Sequence, residues 1–280
     1  TIIGIASAFL IVRIGCLLRS TRDPVMASAL GLVLGNVFMG ATLQINPPYS
    51  VLFPLIGFLL LSQIPARYHP QRKEPLGDLV KYLPIIFLFY LLTGMFYVCL
   101  MPTYMKNLYF RGVELIFYIV AVLISAFLFH RKKDYPLVVA VGMGTFAVAF
   151  LHDFNRLTSN LAMYAVQTTA GFMDVFCLGL FIRGGDVVRR FSLGASCMCL
   201  GLVVGLPVLY TEKWPFIMSI GENIVLGIGL LAFYFLQTAG RRFHKKSPHV
   251  HEDFREKKLI EACRALGAPR ELFSHRDGKS

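Results

Sequence analysis

TAGFMDVFCLGLF, residues 169–181, is an apolar run with a single carboxylate, Asp174, at its centre. It lies inside a longer apolar stretch, 160–182. A helix needs about 20 such residues to cross the hydrocarbon core of a bilayer, so this stretch reads as a membrane span. An ionisable group at that depth is costly unless it is paired or wet. Asp174 therefore reads in one of two ways: a ligand-binding or proton-coupling carboxylate facing a central cavity, or a structural carboxylate hydrogen-bonded to a neighbouring helix.

The same reading extends outward along the chain. Of its 280 residues 56% are hydrophobic, which is more than one soluble core of this size can hide. The mean hydropathy of +0.61 agrees. Apolar runs give nine candidate spans, at about 2–18, 25–45, 49–65, 83–101, 112–129, 136–151, 160–182, 192–210 and 215–237. The first and sixth are short. Proline brackets many of them, at Pro24, Pro47, Pro48, Pro84, Pro102, Pro136 and Pro215, where a first-turn position costs little. The expected fold class is all-α: a polytopic membrane helix bundle of about nine transmembrane helices with a short cytoplasmic helical tail.

Lys and Arg fall on alternate connections. One set holds Arg19, Arg22, Arg67, Arg72, Lys73, Lys81, Arg131, Lys132, Lys133, Arg183, Arg189, Arg190 and the residues from 240 onward. The other holds only Lys106, Arg111, Arg156 and Lys213. Cytoplasmic loops carry such an excess, so the first set and the C-terminus are expected in the cytoplasm and the protein in the inner membrane. The net charge of +12 is then a topology signal plus attraction to anionic lipid, with no need of nucleic acid. Thr1 opens directly on an apolar run without a charged leader, which reads as a cut or processed end.

Other polar residues within the spans are candidates beside Asp174. Glu222 and Asn223, in FIMSIGENIVLGIGL, are expected to line a cavity or to pack helix on helix. Asn36 and Gln167 are mid-span amides of the kind that bridge helices. Arg111 and Glu114 share a helix face and are expected to pair at the outer surface. Cys197 and Cys199 are two apart and so point to different faces of a helix. With no CxxC, no metal-type Cys/His spacing and no P-loop, HExxH or GxSxG motif, neither a metal, a cofactor nor an enzymatic activity is expected. Gly31–Gly35 and Gly201–Gly205 are GxxxG steps that let helices approach closely, within the chain or in a homodimer.

Three spans, the basic connection ARYHPQRKEPLGDLVKY at 66–82 and six further spans resemble the plan of the major facilitator superfamily. The resemblance implies that 1–65 are the last three helices of a first half, 66–82 the central cytoplasmic loop and 83–239 the second, six-helix half. RGGDVVRRFSLG at 183–194 echoes that family's loop signature one hairpin late.

Residues 240–258 are mixed in charge and broken by Pro248, a solvated linker. From Asp253 the pattern becomes helical, with Glu256 at capping-box spacing and Gly267 and Pro269 as the stop. The following LGAPRELFSHR resembles the opening of a LuxR-type helix-turn-helix domain. Leu272, Ser274, His275 and Arg276 carry the match, and Asp277 stands where Glu is usual. The resemblance implies that 240–280 are a linker and the start of an incomplete helix-turn-helix domain. DNA would be a partner only if a complete domain follows. The expected function is the membrane-embedded, ligand-sensing part of a LuxR-type transcriptional regulator, its ligand an unidentified small molecule. The alternatives are a facilitator-type secondary transporter using Asp174 and an inactive gene fragment.

Overall fold

The computed structural model describes residues 2–42, 78–110, 112–150, 155–184 and 186–205, with isolated positions 76, 207 and 227. Among them there are helices and no strands. Seven helices follow in order: α1 (Ile2–Arg19), α2 (Pro24–Thr42), α3 (Asp78–Asn107), α4 (Val113–Arg131), α5 (Tyr135–Ala149), α6 (Arg156–Ile182) and α7 (Val187–Gly205). Each corresponds to one expected span. The remaining two, 49–65 and 215–237, lie outside the described residues, as does the tail from 240 onward.

Five of the helices, α2, α3, α4, α6 and α7, are long and apolar enough to cross a membrane. α5 is apolar but only 15 residues long. Large apolar side chains face outward on α2 and α4, with Leu34 and Phe127 each 67% exposed, as lipid-facing positions require.

The bounds differ from expectation most at α3. It starts at Asp78 and runs 30 residues, so Pro84 and Pro102 lie inside the helix instead of at its ends. A proline inside a helix costs a backbone hydrogen bond, and here extensive packing on α6 and α7 offsets it.

α6 is the central post. It touches α1, α2, α3, α4, α5 and α7, and 83% of it is buried, against 17% of the α2 span. Its N-terminus is fixed by a capping box. The Asn155 side chain accepts from the backbone N–H groups of Leu157 and Thr158, and Thr158 Oγ accepts from the Asn155 N–H. Met163 and Val166 of α6 then pack with Leu92, Phe96 and Tyr104 of α3 and with Ala147 and Val148 of α5. Nearer its other end Phe176 meets the rings of Tyr82 and Phe129 edge-on.

α3 and α7 approach through glycine. A Cβ on Gly201 would stand 2.6 Å from the Phe87 carbonyl oxygen, and one on Gly205 2.7 Å from that of Leu91. The Gly201–Gly205 step thus serves a contact within the chain. At Gly31 and Gly35 of α2 the same step faces open space.

The basic connections converge at one end of the bundle. Arg19 donates to the Gly184 carbonyl at 2.8 Å, joining α1 to the α6–α7 turn. His130 at the end of α4 reaches Asp23 before α2 at 2.9 Å. Arg190 of α7 donates to the carbonyls of Leu76 and Leu180 at 3.0 and 2.8 Å. At this basic end α1, α4 and α6 therefore finish and α2, α3, α5 and α7 begin, so that α3 and α7 pack in parallel.

Candidate functional site

A tyrosine in an apolar span brings a hydroxyl that must find a partner. α3 carries four tyrosines, and three of them, at three depths, donate to a carboxylate on another part of the chain. At the basic end Tyr82 donates to Asp134, just before α5, at 2.6 Å. At the far end Tyr104 donates to Glu114 at the start of α4 at 2.7 Å. Between them Tyr90 donates to Asp174 of α6 at 2.5 Å.

The middle pairing is the candidate site, because a second helix joins it. Tyr118 of α4 donates to the other Asp174 oxygen at 2.7 Å. Each carboxylate oxygen thus has its own hydroxyl, one from α3 and one from α4. The two tyrosines are buried, at 5% and 6% exposure, whereas Asp174 is only half-buried. Close approach of α4 makes the geometry possible. Gly171, one turn before Asp174, lies so near α4 that a Cβ there would stand 2.8 Å from the Tyr118 carbonyl oxygen. Cys177, one turn after Asp174, is buried and free.

The other candidate residues do not gather around Asp174. Among the described residues Asn36, half-buried, does not bridge helices: its amide donates to the Leu32 carbonyl of its own helix at 2.9 Å. Gln167 is buried on α6, two turns from Asp174, and its side chain makes no hydrogen bond to the described residues. Glu222, Asn223 and Arg111 lie outside the described residues, and Glu114 there takes its hydrogen bond from Tyr104. Cys197 and Cys199 do face apart, one donating to the Leu83 carbonyl at 3.3 Å and the other exposed.

The tyrosines are the part of the site that sequence reading missed. Their signal was present, since a phenol in an apolar run needs an acceptor, but nothing local says which carboxylate supplies it. The amide of Asn160 plays a similar tying role near the far end. It donates to the Asn107 carbonyl at 2.9 Å and accepts from the Tyr109 backbone at 3.3 Å.

Chemically, the Asp174 site can exchange hydrogen bonds and protons. No group of three metal-ligating side chains occurs among the described residues. No protein-family model, curated protein or solved structure matches this chain.

Proposed function

We propose that the chain is the membrane-embedded, ligand-sensing part of a LuxR-type transcriptional regulator, with Asp174 as its ligand-responsive group. One observation carries the sensing half of this reading. A single half-buried carboxylate holds two hydroxyls from two different helices, so α3 and α4 are latched to α6 at one point. A small molecule that offers Asp174 better donors frees both helices together. Each hydrogen bond contributes about 0.5–1.5 kcal/mol net, so releasing both can move a two-state equilibrium about tenfold. The regulatory half rests on the resemblance of Leu272, Ser274, His275 and Arg276 to the opening of a helix-turn-helix domain. In this reading the basic ends and the C-terminus face the cytoplasm, the membrane half is facilitator-like, and DNA is contacted only through a complete helix-turn-helix domain.

The test uses the gene in its native sequence context. Chromatin cross-linking of the tagged protein should recover a defined promoter set. Asp174→Asn and Tyr90→Phe should change transcription from those promoters at unchanged membrane levels of the protein. Recovery of no promoter sinks the regulatory reading.

The partial exposure of Asp174 favours a second reading, a facilitator-type transporter in which this carboxylate couples to substrate or proton. Uptake by wild type and Asp174→Asn in vesicles decides it: equal uptake removes the coupling role.

A further inference from the structure

α3 and α5 both pack on α6 and leave a groove between them. We propose that this groove holds one acyl chain of an anionic phospholipid, with the lipid phosphate at the basic end beside Lys81 and Lys133. The site is separate from Asp174 and does not depend on the regulatory reading.

The walls are hydrocarbon. Phe89, Leu92 and Phe96 line one side, Ala140 and Gly144 the other, and Val166 the floor. Two threonines also line it, yet both hydroxyls are turned to their own helices. Thr93 donates to the Phe89 carbonyl at 2.9 Å and Thr169 to that of Ala165 at 2.8 Å. A polar ligand therefore finds no committed partner there, and an alkyl chain loses none. Small residues on α5 make the room: a Cβ on Gly144 would already touch the Thr169 methyl at 3.6 Å.

The length and the ends select a lipid. From Ile85 to Phe96 the groove follows α3 for about 16 Å at 1.5 Å per residue, close to one leaflet of a hydrocarbon core about 30 Å thick. At the basic end the Tyr82–Asp134 hydrogen bond ties the start of α3 to the start of α5. Cations surround that tie. The Lys133 ammonium lies 5.9 Å over the Tyr82 ring, Lys132 lies 5.2 Å over Tyr135, and Lys81 and Arg131 are exposed. Basic residues at the mouth of a cleft between membrane helices recognise anionic headgroups.

The experiment is native mass spectrometry of the full chain in mild detergent, titrated with dioleoyl phosphatidylglycerol or dioleoyl phosphatidylcholine. We expect one phosphatidylglycerol to remain bound under conditions that strip phosphatidylcholine. Gly144→Leu should lower the bound fraction at least tenfold. Gly142→Leu, at an exposed position with open space around it, should leave it unchanged. The pair Lys81→Glu and Lys133→Glu should bring phosphatidylglycerol down to the level of phosphatidylcholine. Equal retention of the two lipids by wild type, or indifference to Gly144→Leu, overturns the proposal. Should Gly144→Leu fail to fold, wild type alone decides, using phosphatidylglycerol with a photoreactive group on its acyl chain. Adducts confined to 85–96 and 140–148 support the site. Adducts spread over the exposed faces of α2 and α4 overturn it.

Discussion

The Tyr90 hydroxyl donates to Asp174 at 2.5 Å across 84 residues of sequence, and Tyr118 completes the pairing at the second oxygen. Tyr90→Phe and Tyr118→Phe each strip one donor from a carboxylate held between helices. Each should cost about 1–3 kcal/mol of stability. Because they share one acceptor group, the double variant should deviate from the sum of the singles by at least about 0.5 kcal/mol. Thermal unfolding in detergent measures both. Single effects below about 0.3 kcal/mol that simply add would show that the latch carries no energy.

Two identical sequence steps should respond in opposite ways to the same substitution. Gly201→Ala drives a methyl toward the Phe87 carbonyl, 2.6 Å from where its Cβ would stand, and should destabilise the α3–α7 contact by about 1–3 kcal/mol. Gly31→Ala meets open space and should be neutral or stabilising by up to about 1 kcal/mol, since alanine is the better helix former. Melting temperatures of the two variants against wild type test the contrast. A loss at Gly31 equal to that at Gly201 would contradict it.

The Asp23–His130 pair predicts an acid-sensitive joint between α2 and α4. Partial burial pushes the Asp23 carboxyl up, but the Met26 backbone N–H and His130 outweigh it and hold the carboxyl below its ordinary value of 3.8. The folded protein thus binds this proton less tightly than the unfolded chain. The stabilisation is complete above the ordinary value and is lost as pH falls through the lower, folded one. His130 also ties the joint to its own helix: its Nδ1 lies 2.7 Å from the Ala126 carbonyl and its Nε2 2.9 Å from the Asp23 carboxylate. Asp23→Asn should flatten the loss of stability on acidification below about pH 4. An unchanged slope would show that other carboxylates set it.

Asn155 should matter out of proportion to its exposure. It supplies the capping box of the central helix, so Asn155→Ala should cost about 1 kcal/mol, while Asn155→Ser or Asn155→Asp should restore most of it. Equal melting temperatures for the alanine and serine variants would count against the cap.

Much of the fold was legible because its causes are local. A run of about 20 apolar residues is a span wherever it sits. The alternation of Arg and Lys between connections carried the direction of each helix, and the convergence of Arg19, His130 and Arg190 at one end follows from it. Helix ends were less legible. Pro84 and Pro102 read as boundaries, yet packing along α3 keeps both inside one helix.

By itself, then, the sequence determined an all-helical, bilayer-compatible chain with a carboxylate, Asp174, deep in an apolar helix. Hydropathy, periodicity and charge spacing are properties of neighbouring residues and need no fold to be read. The tertiary structure decided what meets that carboxylate. Tyr90 and Tyr118 lie 84 and 56 residues from Asp174, and only the packing of α3 and α4 on α6 brings their hydroxyls to its two oxygens. It also decided between two GxxxG steps that are equal in sequence. Gly201 and Gly205 face the backbone of α3, whereas Gly31 and Gly35 face outward, because helix contacts depend on which neighbour a face is given.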